Sequence, residues 1–146
     1  MKPKTSAFTL LELVIALAIA AVLVVYAVPS YHNHVARSHR VDAASALYRA
    51  AQFIEANTSN DANQSSAQLP SGFDQAPLFG TAVYKLRVLP ADDSNGGYAL
   101  EARPVESGPM QDDACGTFIL DATGLRTNHA ADGSAVSDAQ SCWNTR

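Results

Sequence analysis

From Leu13 to Val28 the chain runs for sixteen residues without a charged or strongly polar side chain, and a single acid, Glu12, stands directly in front of that run. Phe8 to Val28 is twenty-one residues, roughly 31 Å as a helix, which matches a hydrocarbon core of about 30 Å. An acid at the centre of a membrane helix costs about 2.5–3.5 kcal/mol, and no lysine or arginine is within reach on the same helix. Three readings compete: a secretory signal cleaved near Ala27, a plain transmembrane anchor, and a leader cut before the apolar run. A removable signal has an apolar region of only about 7–15 residues. Glu12 is unexplained under the first two readings. The third gives it a partner. Cleavage between Ala7 and Phe8 would create an α-amino group four residues away, with a reference pKa of about 7.7–8.0.

Lys2 and Lys4 form a short positive segment ahead of the run. The chain has 146 residues, room for one domain and an anchor. Beyond Asn57 five Lys/Arg (Lys85, Arg87, Arg103, Arg126, Arg146) face eleven Asp/Glu. Net acidity argues against DNA as a partner, because a nucleic-acid footprint requires clustered basic residues. The one local exception is Lys85 and Arg87 on one strand with Arg103 on the next.

Helical spacing continues past Pro29. Tyr31, Val35, Ala44, Leu47, Tyr48, Ala51 and Ile54 recur three and four residues apart, with Arg37, Arg40, Asp42, Arg49 and Glu55 mostly opposite. This predicts an amphipathic helix to about Asn57. Pro29 removes one backbone hydrogen bond and is expected to kink the helix without ending it. Residues 56–68, "ANTSNDANQSSAQ", read as a loop, and the sequons at Asn57 and Asn63 as loop composition.

Strand signals follow. "AVYKLRVLP" alternates Tyr84, Leu86 and Val88 against Lys85 and Arg87. Asn95-Gly96 suits a tight turn. "YALEARPV" then places Tyr98, Leu100 and Ala102 on one face, and Pro104 ends that strand or marks it as an edge. Thr117–Leu120 reads as a third strand, followed by a turn at Asp121–Gly124 and a short fourth strand. The tail from Asn128 reads as loop. The inferred fold is α+β: one long helix with an antiparallel meander of three or four strands on its distal half.

No motif for a nucleophile elbow, a P-loop or a dinucleotide fold is present, so no enzyme site or cofactor is expected. His32, His34 and His39 invite a metal reading, but residues two apart on a helix diverge. The acidic pairs Asp92-Asp93 and Asp112-Asp113 fall short of the six to eight oxygens that calcium takes. Cys115 and Cys142 make an even count. In an exported chain that favours a disulfide, the alternative being two buried thiols. A bridge around the intervening twenty-six residues would contribute roughly 3.5 kcal/mol.

The order Phe8-Thr9-Leu10-Leu11-Glu12, then the apolar run, then Pro29-Ser30-Tyr31, resembles the class III leader and N-terminal helix of type IV pilins, over residues 1 to about 55. The resemblance implies a leader of residues 1–7, cut between Ala7 and Phe8 by a prepilin peptidase. It also implies N-methylation of Phe8, and Glu12 as an assembly contact. Pilins of this kind usually carry Gly before the cut. Ala7 is also small, so cleavage is expected, though slower. Residues 8–29 would form the membrane and filament-core half of the helix, 30–57 the amphipathic half, and 58–146 a head closed by a Cys115–Cys142 loop. The partners implied are major and minor pilins, the peptidase, the pilus assembly machinery and the inner membrane. The N-terminus would be cytoplasmic and the head periplasmic until the subunit enters an extracellular pilus. The compact head and the "SCW" ending most resemble a minor pilin acting in pilus assembly, and hence in adhesion or twitching motility. The alternatives are a type II secretion pseudopilin, which usually lacks such a loop, and a competence-type pilin that binds DNA.

Overall fold

A computed structural model describes residues 8–57 and 68–144. The leader with Lys2, Lys4 and Ala7, the loop residues 58–67 with Asn63, and Arg146 lie outside the described residues. The chain divides into two compact units, one up to Val35 and one from Ala36.

Helix α1 runs Leu10–Asn57 and contains Pro29. It persists through the proline as one element, as the apolar pattern on both sides predicts. In the first unit it is long and apolar enough to cross a membrane, and none of that stretch is buried. Its large apolar side chains from Phe8 to Val28 are between 48% and 83% exposed. For water-soluble packing this would be a severe cost, so the surface must be covered by lipid or by other chains.

The second unit packs the distal part of α1 on a five-stranded antiparallel sheet ordered β1-β2-β3-β4-β5. The strands are β1 Gln75–Ala76, β2 Tyr84–Leu89, β3 Ala99–Pro104, β4 Thr117–Asp121 and β5 Arg126–His129. A short helix α2, Ala139–Trp143, closes the tail. Alternation along β2 and β4 turns Tyr84, Leu86, Phe118 and Leu120 into the core, where they meet Ala43, Ala46, Leu47, Ala50 and Ile54 of α1. Full burial of Leu47, Leu100 or Phe118 contributes about 1.5–3 kcal/mol each. The rings of Tyr84 and Phe118 stand edge to face at 5.9 Å.

Several expectations change here. The buried stripe of α1 is Ala43-Ala46-Leu47-Ala50-Ile54, whereas Tyr31 and Tyr48 are 68% and 43% exposed. The alanines define the face because small side chains let the helix backbone approach the sheet closely. Five strands replace three or four. The additional strand is two residues long and stops at Pro77, so it has no alternation to read. The β2–β3 connection is not a two-residue Asn-Gly turn. Positive φ falls on Gly96 and Gly97 and on no non-glycine residue. Asn95 is buried instead and braces a longer loop: its Nδ2 donates to Pro90 O at 2.9 Å, and its Oδ1 accepts from Asp92 N and Gly97 N at 3.1 Å each. Pro104 ends a central strand. β5 is the short fourth strand expected after the Asp121–Gly124 turn and runs on into Asn128 and His129, while α2 occupies residues read as loop.

Candidate functional site

The first candidate surface is the exposed front of α1. Leu10 is its first helical residue, and Thr9 caps it by accepting from Glu12 N on Oγ1 at 3.2 Å. Thr9-Leu10-Leu11-Glu12 thus has the spacing of a capping box, with the acid three residues after the cap. An acid in the first turn also faces the positive end of the helix dipole. This helix-start role was readable from Thr-x-x-Glu and supplies a second reason for an acid at that position. Glu12 and Phe8 lie on the same exposed segment, and Pro29 lies at its far end.

The second candidate surface is the sheet face turned away from α1. Register places Lys85 opposite Arg103 and Arg87 opposite Glu101. It continues with Glu101 opposite Ile119 and Thr117 opposite His129. The three cations singled out in the sequence are therefore neighbours. Between them stands Glu101, only 4% exposed, which accepts from Arg87 Nε and lies 3.4 Å from Arg103 Nε. That contact holds the Arg87 guanidinium above its ordinary pKa. One buried carboxylate thus pairs with two of the three cations. Beside it a pocket of about 350 Å³ opens over Ile119 and Thr117, between Arg103–Pro104 on one side and His129–Ala131 on the other.

The disulfide region borders that pocket through Gly116 and His129. Cys115 and Cys142 are bonded, with their Cα atoms 5.7 Å apart. Asn128, 1% exposed, donates to Cys115 O at 2.8 Å and accepts from Trp143 Nε1 at 2.6 Å. Trp143 packs edge-on against Phe118 and Tyr48, at 5.3 and 6.2 Å, under the Arg126 guanidinium at 5.9 Å. Gly116 passes so close to β5 that a Cβ there would overlap the carbonyl oxygen of His129. Arg40 of α1 grips the same loop through Asp113, donating from Nε to Oδ2 at 3.0 Å, and Asp113 also accepts from Cys115 N at 3.2 Å. The Asp113 hydrogen bond raises the Arg40 pKa. None of Asn128, Arg40 or Trp143 stood out as a clasp in the sequence, because their partners are thirteen to seventy-three residues away.

The remaining candidates are absorbed by local structure. Asp113 is committed to Arg40. Asp92 accepts from Ser94 N, Ser94 Oγ and Asn95 N within its own loop, which holds its carboxyl below the usual range. His32 and His34 are exposed, and His39 Nδ1 lies 4.0 Å from Asp42. Among the described residues no three His, Cys, Asp or Glu side chains cluster in a way that could hold a metal.

Comparison with known families agrees with this anatomy. Residues 2–28 match the prokaryotic N-terminal methylation motif, which spans Ala7, Phe8 and Glu12. Residues 29–119 match the family described as type IV minor pilin ComP, DNA uptake sequence receptor. That match covers the distal half of α1 and β1 to β3, and it stops within β4, before β5, α2 and Cys142. No curated protein matches the chain. With an apolar helix behind a methylation motif, a disulfide-closed head, and a family match over more than half of its length, the chain belongs to the ComP family and is a minor type IV pilin.

Proposed function

We propose that this minor pilin contributes to pilus assembly. It would be cut between Ala7 and Phe8, methylated at Phe8, held in the inner membrane with its head in the periplasm, and then drawn into the filament through α1. The observation that carries the reading is the unbroken exposure of the large apolar side chains from Phe8 to Val28, within the matched methylation motif. In the bilayer Glu12 lies near the interface, where its cost is below the mid-membrane value. Within a bundle of apolar helices it needs a cation, since an unpaired buried charge is strongly disfavoured. The Phe8 amine of an adjacent subunit meets that need and sets the axial register. Pro29 bends α1 between the membrane half and the amphipathic half. Glu12→Gln keeps the shape and removes the charge. It should leave membrane insertion and cleavage intact and strongly reduce recovery of the subunit in sheared pili. Normal incorporation would refute the ion pair.

A second reading is that the head captures DNA. The family description and the neighbouring Lys85, Arg87 and Arg103 favour it; the buried Glu101 opposes it. Three phosphate contacts would give a log–log salt dependence with a slope of about −2.7, at 0.9 per phosphate. Retention on DNA with that slope, lost in Lys85→Ala and Arg103→Ala, would support this reading. No retention at low salt would remove it.

A further inference from the structure

Between Glu12 and Asp42 the chain carries no acid. The charged side chains in that interval are Arg37 and Arg40, joined by His32, His34 and His39. Arg40 is committed to Asp113, and His39 lies 4.0 Å from Asp42. That leaves His32, His34 and Arg37, all exposed, together with Tyr31, which is 68% exposed. Cleavage between Ala7 and Phe8 would take Lys2 and Lys4 away. At the front of the mature helix the Phe8 amine and the Glu12 carboxylate then offset each other. Net positive charge next to the apolar run would therefore lie wholly at its other end.

Position along α1 decides what surrounds these residues. Phe8 to Val28 fills a hydrocarbon core of about 30 Å. With its headgroups a bilayer is about 40–45 Å thick, so each polar layer is roughly 5–8 Å deep. Tyr31, His32 and His34 follow Val28 by three, four and six residues, which is about 4.5, 6 and 9 Å along a helix. They fall within that layer or at its outer rim. Arg37 comes three residues after His34 on the same helix, and a long cationic side chain can reach back toward phosphate. Tyrosine favours this depth, with its ring against the apolar core and its hydroxyl in the polar layer. Residues two apart are about 200° apart around a helix axis, so His32 and His34 occupy opposite sides. A protein or a DNA duplex meets a helix from one side. A leaflet meets it from all sides.

We infer that Tyr31, His32, His34 and Arg37 form a collar for anionic phospholipid headgroups on the head side of the membrane, which holds the subunit at a fixed depth until it is drawn into the filament. The inference rests on the membrane reading above. The collar selects net negative charge and not phosphate alone, since zwitterionic lipids carry phosphate as well. Arg37 supplies the constant charge. Imidazole is the side chain that changes charge between pH 5 and 8, so the two histidines add to it on acidification. Among the described residues, the unit that ends at Val35 holds no second element that could bring an acid against them.

The test uses the full mature chain in phosphatidylcholine bilayers, with a trace of spin-labelled phosphatidylglycerol or spin-labelled phosphatidylcholine. The motionally restricted fraction of each label gives their relative association with the protein. A cation at an anionic surface is worth about fivefold, so with one indifferent leaflet averaged in, a preference of roughly threefold for phosphatidylglycerol is expected at pH 8. It should rise at pH 5.5 and fade in high salt. Arg37→Gln should remove the preference at pH 8. His32→Gln with His34→Gln should leave that preference and remove its rise at pH 5.5. Equal association of the two lipids, or a preference that survives all three substitutions, would overturn the inference. So would retention on DNA that depends on these three residues in a chain showing no lipid preference. Flotation with the bilayers is read on the same samples. A chain that floats without preferring phosphatidylglycerol refutes the collar alone, whereas a chain that does not float refutes the membrane reading.

Discussion

Gly116 offers the sharpest test of how the disulfide loop is held. It has φ +51 and sits where a Cβ would overlap His129 O and lie 3.0 Å from Ala130 Cα. Gly116→Ala carries two costs. The left-handed backbone costs about 1–2 kcal/mol for a residue with a Cβ. The clash adds about 1–3 kcal/mol, the usual cost of overpacking, and it falls on backbone atoms that cannot rotate away. The total is about 2–5 kcal/mol, a large share of a small domain's stability. Gly124 is the control. Its φ is +86 and a Cβ there meets nothing within 4 Å, so Gly124→Ala carries only the first cost. Denaturant unfolding of the full chain in detergent measures both. The reporter is Trp143, the single tryptophan, 8% exposed beside the bridge. Gly116→Ala should have the lower midpoint, with an unchanged slope. If the two variants agree within roughly 0.5 kcal/mol, the close approach of the loop to β5 does not constrain the fold.

Replacing Cys115 and Cys142 together by Ser should cost about 3.5 kcal/mol by loop entropy. It should also release the tail, seen as a red shift of Trp143 emission and new proteolytic cuts between residues 130 and 141. Asp113→Ala leaves a partly buried Arg40 without its partner; full burial would cost about 3–5 kcal/mol, and with Arg40 26% exposed about 2–3 kcal/mol is expected in the same unfolding assay. Burial, followed by the Glu55 charge, pushes the Tyr98 phenol up from 10.0 to about 12, and burial pushes Tyr84 higher still. The unfolded chain therefore loses these protons first. The associated stability is intact below pH 10 and is lost as pH rises toward about 12, which phenolate absorbance followed alongside Trp143 fluorescence would record.

Elements whose signal is local were legible in the sequence. The apolar run, its continuation through Pro29 to Asn57, the alternating strands β2 to β4, the turn at Asp121–Gly124 and the pairing of two cysteines all follow from periodicity, turn chemistry or an even count. Each depends on residues close in the chain or on having only one possible partner. Glu12 was legible as an anomaly, and its capping geometry with Thr9 is equally local. Tertiary structure decided the rest. Alanines became the buried face of α1, because closeness of approach to a sheet outweighs side-chain hydrophobicity there. Glu101, on a strand that reads as half-exposed, was buried between two arginines because β3 is central and its outer face is covered by neighbours. Lys85, Arg87 and Arg103 became one patch, with Glu101 set between two of its cations, only through the register of β2 on β3. The clasp of Arg40, Asp113, Asn128 and Trp143 and the recess over Ile119 join residues far apart in the chain, and no spacing rule encodes which distant groups a folded sheet will bring within 3 Å.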